Sequence, residues 1–368
     1  MRDQRPPMSE RPFASMEVAL GASASVADHR VVDLAASQPP WVDSGLVVGA
    51  GDQVTVIRHG RVVLAEPDLW LDAGFNIWIR IGGRGPITRG SRATHTLTAP
   101  HDGNVQLGNA TPAEWADTNG AITIDPGAYA LVTGKATVAV IRWSPGTDPA
   151  QALRHLADGG DETGYLAAEA DRLDHDPAVT PPGWEHLWLL GPSEIYTDTG
   201  ETIDCTTGGN VGILCHDVDL ALSPATTVSW SWKVDQLPST EAEDSFSTHD
   251  YLSVAVEFDD GIDLSWYWSA TLPNGTHYRC PLPHWNERET HLVVRTGDAE
   301  LGRWVTETRD VLADHRYAVG GPPPHRITRL WLIATSVLQR QPGHCQYRNL
   351  VVRTREGTVV SIQPGAMT

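Results

Sequence analysis

Two neighbouring stretches of the chain combine carboxylates with tyrosines at even spacing, which brings side chains to one face of a β-strand. Tyr251 and Glu257 lie in the first stretch, and Asp263 and Tyr267 lie in the second. A tyrosine ring suits the flat face of a sugar, and a carboxylate accepts hydrogen bonds from paired sugar hydroxyls. These four residues are therefore the predicted centre of a ligand-binding face.

The same polar face is also compatible with catalysis. The run Thr290–Thr296 follows in the chain and carries an imidazole that could share a cleft with the carboxylates. Carboxylates, a phenol and an imidazole together could transfer protons on a polysaccharide. If the protein is an enzyme, the predicted catalytic residues are Asp263, Tyr267, Glu257 and His291. Polar strand faces carry such residues without any chemistry as well, so a structural role stays open.

Two arginines complete the predicted ligand-binding set. Arg295 ends the Thr290–Thr296 run, and Arg309 follows Trp304. A guanidinium can clamp a charged ligand through paired hydrogen bonds. Arg309 adjoins Asp310, so an internal ion pair that anchors a loop is the alternative.

The elements that must position these residues are strands. Val228–Asp235, Tyr251–Phe258 and Ile262–Ser269 each alternate apolar and polar side chains, which is typical of half-buried antiparallel strands. Asp259–Gly261 predicts a hairpin between the last two. Trp230 and Trp232 share a face with valines, so we expect both in the core.

The whole chain is predicted to be mainly β, with two β-sandwich or jelly-roll domains joined by a short helical connector. About eight short alternating runs between Trp41 and Trp143, separated by Gly, Pro, Asn and Asp, favour the first sandwich. Asp148 and Pro149 suit the N-cap and first position of a helix. The predicted segments are a flexible lead over 1–38, a first sandwich over 39–146, the connector over 147–182 and a second sandwich over 183–368.

Composition narrows the classes of partner. The 368-residue chain has a formal net charge of −19, which argues against nucleic acid because phosphates attract Lys and Arg. Its apolar runs are too short for a membrane span. The chain has 14 Trp against 4 Phe, an excess that indicates either indoles on a glycan-binding face or unusual core packing.

Metal, cofactor and compartment are predicted from sparse signals. Cys205, Cys215, Cys280 and Cys345 show no zinc-finger spacing, and both reduced thiols and two disulfides stay open. His216, Asp217 and Asp219 could offer metal ligands, but adjacent residues of a strand point to opposite faces. Only Asp217 and Asp219 could therefore converge on one ion. No metal ligand and no cofactor is therefore predicted, with calcium an alternative that no clear motif supports. Residues 1–50 show no signal-peptide pattern, which favours a cytoplasmic protein, with non-classical export left open.

Four motifs in the second half carry a family resemblance. They are Trp230–Pro238, Asp250–Phe258, Leu264–Trp268 and Gly302–Val311, the last followed by Asp314. In this order they resemble a bacterial family catalogued only as a domain of unknown function. The resemblance implies a jelly-roll fold and brings no established activity.

The first half resembles the galactose-binding-like sandwich of bacterial calcium-dependent galactophilic lectins. The residues that carry the resemblance are Trp41–Val48, Gly51–Val56, Gly83–Gly85 and Asn104–Gly108. It implies a β-sandwich that binds sugar. The lectins have an Asn-Asp pair in their calcium loop where this chain reads Asp125–Tyr129, and no calcium ligand is assigned.

These observations predict a soluble bacterial two-sandwich protein that recognises a carbohydrate or glycan-like ligand without catalysis. The chain has no phosphate-binding glycine loop, no Gly-x-Ser-x-Gly and no HExxH. One alternative is an enzyme acting on a glycan or small natural product, with its cleft in the second sandwich. Another is a structural subunit used in assembly, and a homo-oligomer is compatible with each hypothesis.

Overall fold

The computed structural model describes residues 12–38, 40–63, 70–90, 92–110, 119–122, 125–174, 180–190, 195–282, 285–355, 357 and 359–362. The chain forms two compact units, Met1–Pro177 and Ala178–Thr368. Both are built mainly from antiparallel strands, so the predicted fold class is confirmed. No helix among the described residues is long and apolar enough to cross a bilayer.

The first unit contains four α-helices, one 3-10 helix (Pro126–Leu131) and nine strands among its described residues. In chain order the α-helices and strands are α1 (Ala14–Ala22), β1 (Val26–Ala35), β2 (Trp41–Val48), β3 (Gln53–Val63), β4 (Trp70–Asp72), α2 (Ala73–Asn76), β5 (Ile77–Ile81), β6 (Arg84–Thr88), β7 (Thr94–Thr98), β8 (Gly103–Asn109), β9 (Thr133–Trp143), α3 (Pro149–Asp158) and α4 (Tyr165–Asp174).

Two sheets make the first sandwich. One has the order β1-β9-β3-β4, with β7 also on β3, and the other has the order β2-β8-β5-β6. Val54, Val56 and Val140 of the first sheet and Ile79 and Leu107 of the second belong to one buried cluster between the sheets. Each sheet thus contributes alternate residues to a shared apolar layer, as the strand pattern requires.

Strand β1 corrects the prediction of a flexible lead over residues 1–38. It pairs with β9 from Val26 to Ala35, and α1 before it buries Met16 and Leu20. The sequence indicates a short strand near Val31–Leu34, but its weak periodicity does not show the full length of β1, because β1 is an edge strand with a single fully buried residue. Residues 1–11 lie outside the described residues.

Helix α3 begins as the sequence predicts. The Asp148 carboxylate accepts hydrogen bonds from the Ala150 and Gln151 backbone N–H groups, and Pro149 is the first helical residue. Leu153 and Leu156 of α3 pack in one buried cluster with Trp143. The helices predicted as a connector therefore contribute to the core of the first unit.

The second unit begins with β10 and has thirteen strands and one short α-helix among its described residues, besides a 3-10 turn at Phe246–Thr248 and a π-helical turn at His315–Val319. In chain order the strands and the α-helix are β10 (Glu185–Leu190), β11 (Tyr196–Asp198), β12 (Ile203–Gly208), β13 (Val211–Ala221), β14 (Thr227–Gln236), β15 (Tyr251–Phe258), β16 (Asp263–Ser269), β17 (His277–Arg279), β18 (Glu289–Thr296), β19 (Val305–Asp310), α5 (Val311–Asp314), β20 (Arg326–Thr335), β21 (Pro342–Arg353) and β22 (Val359–Ile362).

Two larger sheets make the second sandwich. The seven-stranded sheet has the order β10-β13-β20-β15-β16-β18-β17, and the other has the order β11-β12-β21-β14-β19 with β22 on β21. Strands β16 and β18 pair in parallel. The hairpin between β15 and β16 is present, with Glu257 opposite Asp263.

Tryptophans fill the core between these sheets. Trp230 and Trp232 of β14 are fully buried, which confirms the predicted core face. Their rings contact Trp266 and Trp268 of β16 in the opposite sheet, with centroids 5.5 and 5.6 Å apart. Core packing therefore accounts for several of the tryptophans that composition alone left unassigned.

Trp232→Ala is expected to lower the free energy of unfolding by about 3–5 kcal/mol, because it removes a ring that is buried against Trp268 and leaves a cavity. Chemical denaturation of the full chain measures the change. Lys233→Ala, on the opposite face of β14, is the control and should change stability by less than about 0.5 kcal/mol. An unchanged unfolding midpoint for Trp232→Ala would show that the indole does not stabilise the core.

Limited proteolysis is expected to cut between α4 and β10 and to leave two stable fragments. Each unit has its own buried clusters, and Pro181, Pro182 and Gly183 are typical of a linker. Mass spectrometry locates the cut, and thermal unfolding of each fragment tests its independence. Fragments that unfold as soon as the chain is cut would contradict the division.

Candidate functional site

The predicted site residues lie on the face of the seven-stranded sheet that points away from the Trp core. Tyr251 and Glu257 are on β15, Asp263 and Tyr267 on β16, and His291 on β18. The strand register places Glu257 of β15 opposite Asp263 of β16, and it places Asp263 and Ser265 of β16 opposite Glu289 and His291 of β18. The structure therefore brings these five side chains onto one surface of the sheet.

Ser265 shows how the three strands align, because it lies opposite Ala255 of β15 and opposite His291 of β18. On the same face, its hydroxyl donates a hydrogen bond of 2.9 Å to Ser253. Small side chains at these positions leave room for the larger aromatic and acidic groups around them. We call this surface, with Tyr251, Tyr267, Glu289 and His291, the covered face.

The covered face is not an open groove. Tyr267, Asp263 and His291 are 0% exposed and Tyr251 is 4% exposed. The segments 237–250 and 270–282 close it off: His249 and Leu272 pack against its side chains, and Tyr278, on the edge strand β17 within the second segment, packs beside Tyr267. This corrects the prediction of an accessible ligand-binding face. The sequence pattern showed which residues share a face, but not that loops cover it.

A buried carboxylate holds the two covering segments to the sheet. Glu243 accepts hydrogen bonds from the Ser269 hydroxyl and the Ala270 backbone N–H, at 2.5 and 2.7 Å. Burial raises the pKa of Glu243, and the bonds from Ala270 and Ser269 oppose that rise. Tyr278 donates a hydrogen bond of 2.9 Å to the Tyr267 hydroxyl. Covering residues and sheet residues thus form one polar network.

Three of the four residues predicted for catalysis, Asp263, Tyr267 and His291, are fully buried in this layer, whereas the Glu257 side chain at its edge is 13% exposed. The Asp263 carboxylate lies 3.6 Å from the Arg288 guanidinium, and Glu257 lies 3.3 Å from Arg329. Burial, with the nearby Glu289 charge, holds the pKa of Asp263 well above its usual range. A fully buried carboxyl with a raised pKa can donate a proton only to a group that reaches it. A polysaccharide chain does not reach a residue with no exposed surface.

The two predicted ligand-clamping arginines are bound elsewhere by internal ion pairs. Arg295 pairs with Glu307 at 2.5 Å and also with Glu300. Arg309 makes a two-pronged ion pair with Asp314, with both nitrogen–oxygen distances at 2.7 Å. The internal ion pair considered for Arg309 is therefore present, but its partner is Asp314. Asp310 instead caps α5 by accepting a hydrogen bond from the Ala313 N–H.

Four side chains of the covered layer could hold a metal ion. They are the one such group among the described residues, and their donor atoms all lie within 4.8 Å of one another: His249, Cys280, Glu289 and His291. All four side chains are buried. Burial, followed by the neighbouring His291, lowers the pKa of His249 to about 3, and burial raises the pKa of the Cys280 thiol.

The sequence prediction included His291 but missed the other three donors. Glu289 and His291 alternate on β18, and this Glu-x-His spacing on a strand is the signal that could have pointed to a paired site. His249 precedes β15 and Cys280 follows β17, and nothing in their local sequence shows that they meet. The four cysteines are free thiols in the structure, and all are buried.

Comparison with solved structures gives only distant likenesses. The EclA N-terminal domain, a PllA-like lectin, is 13% identical, covers 33% of this chain and 99% of that chain, and has a TM-score of 0.25. The CBM22-1–CBM22-2 tandem domain from Paenibacillus barcinonensis Xyn10C is 10% identical, covers 93% and 100%, and has a TM-score of 0.22. Both scores lie below 0.5, so these likenesses assign neither fold nor function to this chain.

Sequence comparison gives a more definite result for the second unit. No curated protein sequence matches the chain. The four motifs in the second half predicted a resemblance to a family of unknown function, and that prediction is confirmed. Residues 182–351, which include the whole covered face and all four candidate metal ligands, match the family model described as "Protein of unknown function (DUF3047)".

Proposed function

We propose that this protein recognises a glycan-like ligand, without catalysis, through an exposed aromatic surface of the second sandwich. The surface consists of His277, Arg279 and Tyr317, and we call it the Tyr317 surface. The observation that carries the proposal is the Tyr317 ring, which is 59% exposed and has no place in a buried cluster. It differs in this respect from Tyr251 and Tyr267.

The Tyr317 ring is held in a defined position although it is exposed. Its hydroxyl donates a hydrogen bond of 3.0 Å to the Gly275 carbonyl, and its centroid lies 4.7 Å from that of the His277 ring. Tyr317 belongs to the π-helical segment His315–Val319 that follows α5, and such segments are frequent at functional sites. An ordered ring loses little conformational freedom when a ligand stacks on it.

The chemistry around the ring suits a sugar, especially an acidic one. The C–H face of a sugar can pack on Tyr317, while His277 and Arg279 offer hydrogen-bond donors. Residues 277 and 279 alternate on β17, so their side chains leave the same face of the strand. Arg279 is exposed on β17, and its guanidinium can bind a ligand carboxylate through paired hydrogen bonds.

Other aromatic side chains support the proposal less well. In the first sandwich, guanidinium groups lie over the rings of Trp41, Trp70 and Trp78 at 4.0–4.6 Å, where a sugar would have to stack. The covered face has no exposed ring. The solved structures named above are a lectin domain and carbohydrate-binding modules, which is the class of protein proposed here. The proposal itself rests on the Tyr317 surface.

Tyr317→Ala is expected to abolish glycan binding while the melting temperature stays within about 2 °C of the parent chain, because the ring is exposed and stabilises little. A glycan array that includes uronic-acid polymers identifies the ligand. Isothermal titration with the best-bound glycan then measures the loss.

Two controls separate stacking from unspecific effects. Phe246→Ala removes another exposed aromatic ring, 37% exposed, and should leave binding unchanged. Tyr267→Ala, in the covered face, should destabilise the domain instead of weakening binding selectively. If Tyr317→Ala binds every glycan as the parent chain does, the Tyr317 surface is not the site.

A further inference from the structure

We propose that His249, Cys280, Glu289 and His291 bind one zinc ion, which ties the segments over the covered face to the seven-stranded sheet. This inference is independent of the glycan proposal, since the Tyr317 surface shares none of these residues. The zinc has a structural role here, because all four positions of a tetrahedral shell come from the protein and none is open to substrate.

The spacing of the donor atoms fits a tetrahedral ion. Zinc bonds of about 2.0–2.3 Å place the four donors roughly 3.3–3.8 Å apart. The Cys280 sulfur lies 3.4 Å from His249 Nε2, and His291 Nε2 lies 3.5 Å from Glu289 Oε1. The largest separation in the set is 4.8 Å. Two donor pairs therefore already have the required spacing, and a small contraction closes the shell.

The four donors come from both layers that the ion would join. Glu289 and His291 are alternate residues of β18, in the sheet. His249 lies near the end of the covering segment 237–250, before β15, and Cys280 directly follows β17, near the end of the segment 270–282. A backbone hydrogen bond of 3.0 Å from the Cys280 N–H to the Glu289 carbonyl fixes the thiol beside the sheet.

Hydrogen-bond partners fix the orientation of two of the four candidate ligands, as is usual for residues that bind metal ions. His249 Nδ1 lies 2.6 Å from the Glu243 carbonyl, so this nitrogen carries the proton and Nε2 is left as the ligand atom. Tyr251 donates a hydrogen bond of 3.0 Å to Glu289 Oε1. Second partners of this kind hold metal-bound imidazoles and carboxylates in place.

The buried His291 ring gives evidence for a metal ion that is independent of the distances between the donor atoms. Its side chain is 0% exposed, and neither ring nitrogen has a hydrogen-bond partner among the described residues. A buried polar nitrogen without a partner is costly, and a bond to a metal ion would remove that cost.

The donor types select zinc over calcium. Calcium takes six to eight oxygen ligands, whereas this set has two imidazoles, one thiolate and one carboxylate. Imidazole and thiolate together in a tetrahedral arrangement are typical of zinc sites. Coordination would also deprotonate the Cys280 thiol, which burial alone keeps protonated.

The test uses the full chain without a polyhistidine tag, purified and then dialysed against metal-free buffer. We expect mass spectrometry of the metal content to find about one zinc per chain. After exchange into cobalt(II), the spectrum should show tetrahedral cobalt with a thiolate charge-transfer band. Removal of zinc by a chelator should lower the melting temperature by on the order of 10 °C.

Variants assign the ligands. Cys280→Ser should lose the charge-transfer band and bind zinc at least about tenfold more weakly, while Cys215→Ser, which changes another buried cysteine outside the group, should keep both. If Cys280→Ser does not fold, Tyr251→Phe removes only the hydrogen bond to Glu289 and should weaken zinc affinity about 10–100-fold. Tyr317→Ala should retain its zinc, which keeps this result separate from that for glycan binding.

Three results would overturn the inference. One is a folded parent chain that retains no zinc after refolding with excess zinc. Another is a cobalt spectrum without a thiolate band. The last is Cys280→Ser or Tyr251→Phe binding zinc as tightly as the parent chain, since the ion would then occupy some other place.

Discussion

Contact between two pairs of tryptophans holds the second sandwich together. Trp230 stacks on Trp266, and Trp232 packs on Trp268, so β14 and β16 meet across the core through four of the largest side chains. Because all four rings are fully buried, their burial contributes a large part of the driving force for closing the two sheets. The positions of the two proposed sites depend on this core.

The Tyr317 surface is connected to the core through one carboxylate. Trp266 donates a hydrogen bond of 2.8 Å from its indole nitrogen to Asp314, and Arg309 binds both oxygens of the same carboxylate. Asp314 ends α5, and the π-helical segment with Tyr317 begins at the next residue. A core tryptophan therefore helps to position the exposed ring, which explains why a surface tyrosine can be ordered.

The covered face depends on the same strand from its other side. Trp266 and Trp268 of β16 point into the core, whereas Asp263, Ser265 and Tyr267 point toward the covering segments. A layer with two imidazoles, three carboxylates and three phenols is costly to bury unless each polar group has a partner. Hydrogen bonds to Glu243, Tyr278 and Glu289 satisfy part of it, and a zinc ion would bind one of the two His291 ring nitrogens that have no hydrogen-bond partner among the described residues.

Local pattern was enough to predict the strands, their faces and one helix start. Alternation in β14, β15 and β16 predicted the core position of Trp230 and Trp232, since side chains two residues apart must leave a strand on the same side. Asp148 and Pro149 predicted the start of α3, because capping involves only neighbouring residues. The shared face of Asp263 and Tyr267 followed from the same rule, whereas the β16–β18 register that brings His291 to it is given by the structure.

Tertiary structure decided what covers that face and which side chains meet there. His249 and Cys280 are 31 residues apart in sequence, yet their donor atoms lie 3.4 Å apart, and neither lies in a motif that would reveal it. Arg309 pairs with Asp314 and not with its neighbour Asp310, because the turn of α5 brings the more distant carboxylate to the guanidinium. Alternation along a strand determines on which side a residue lies, but only the path of the chain between strands determines whether that side faces water, a ligand or another part of the protein.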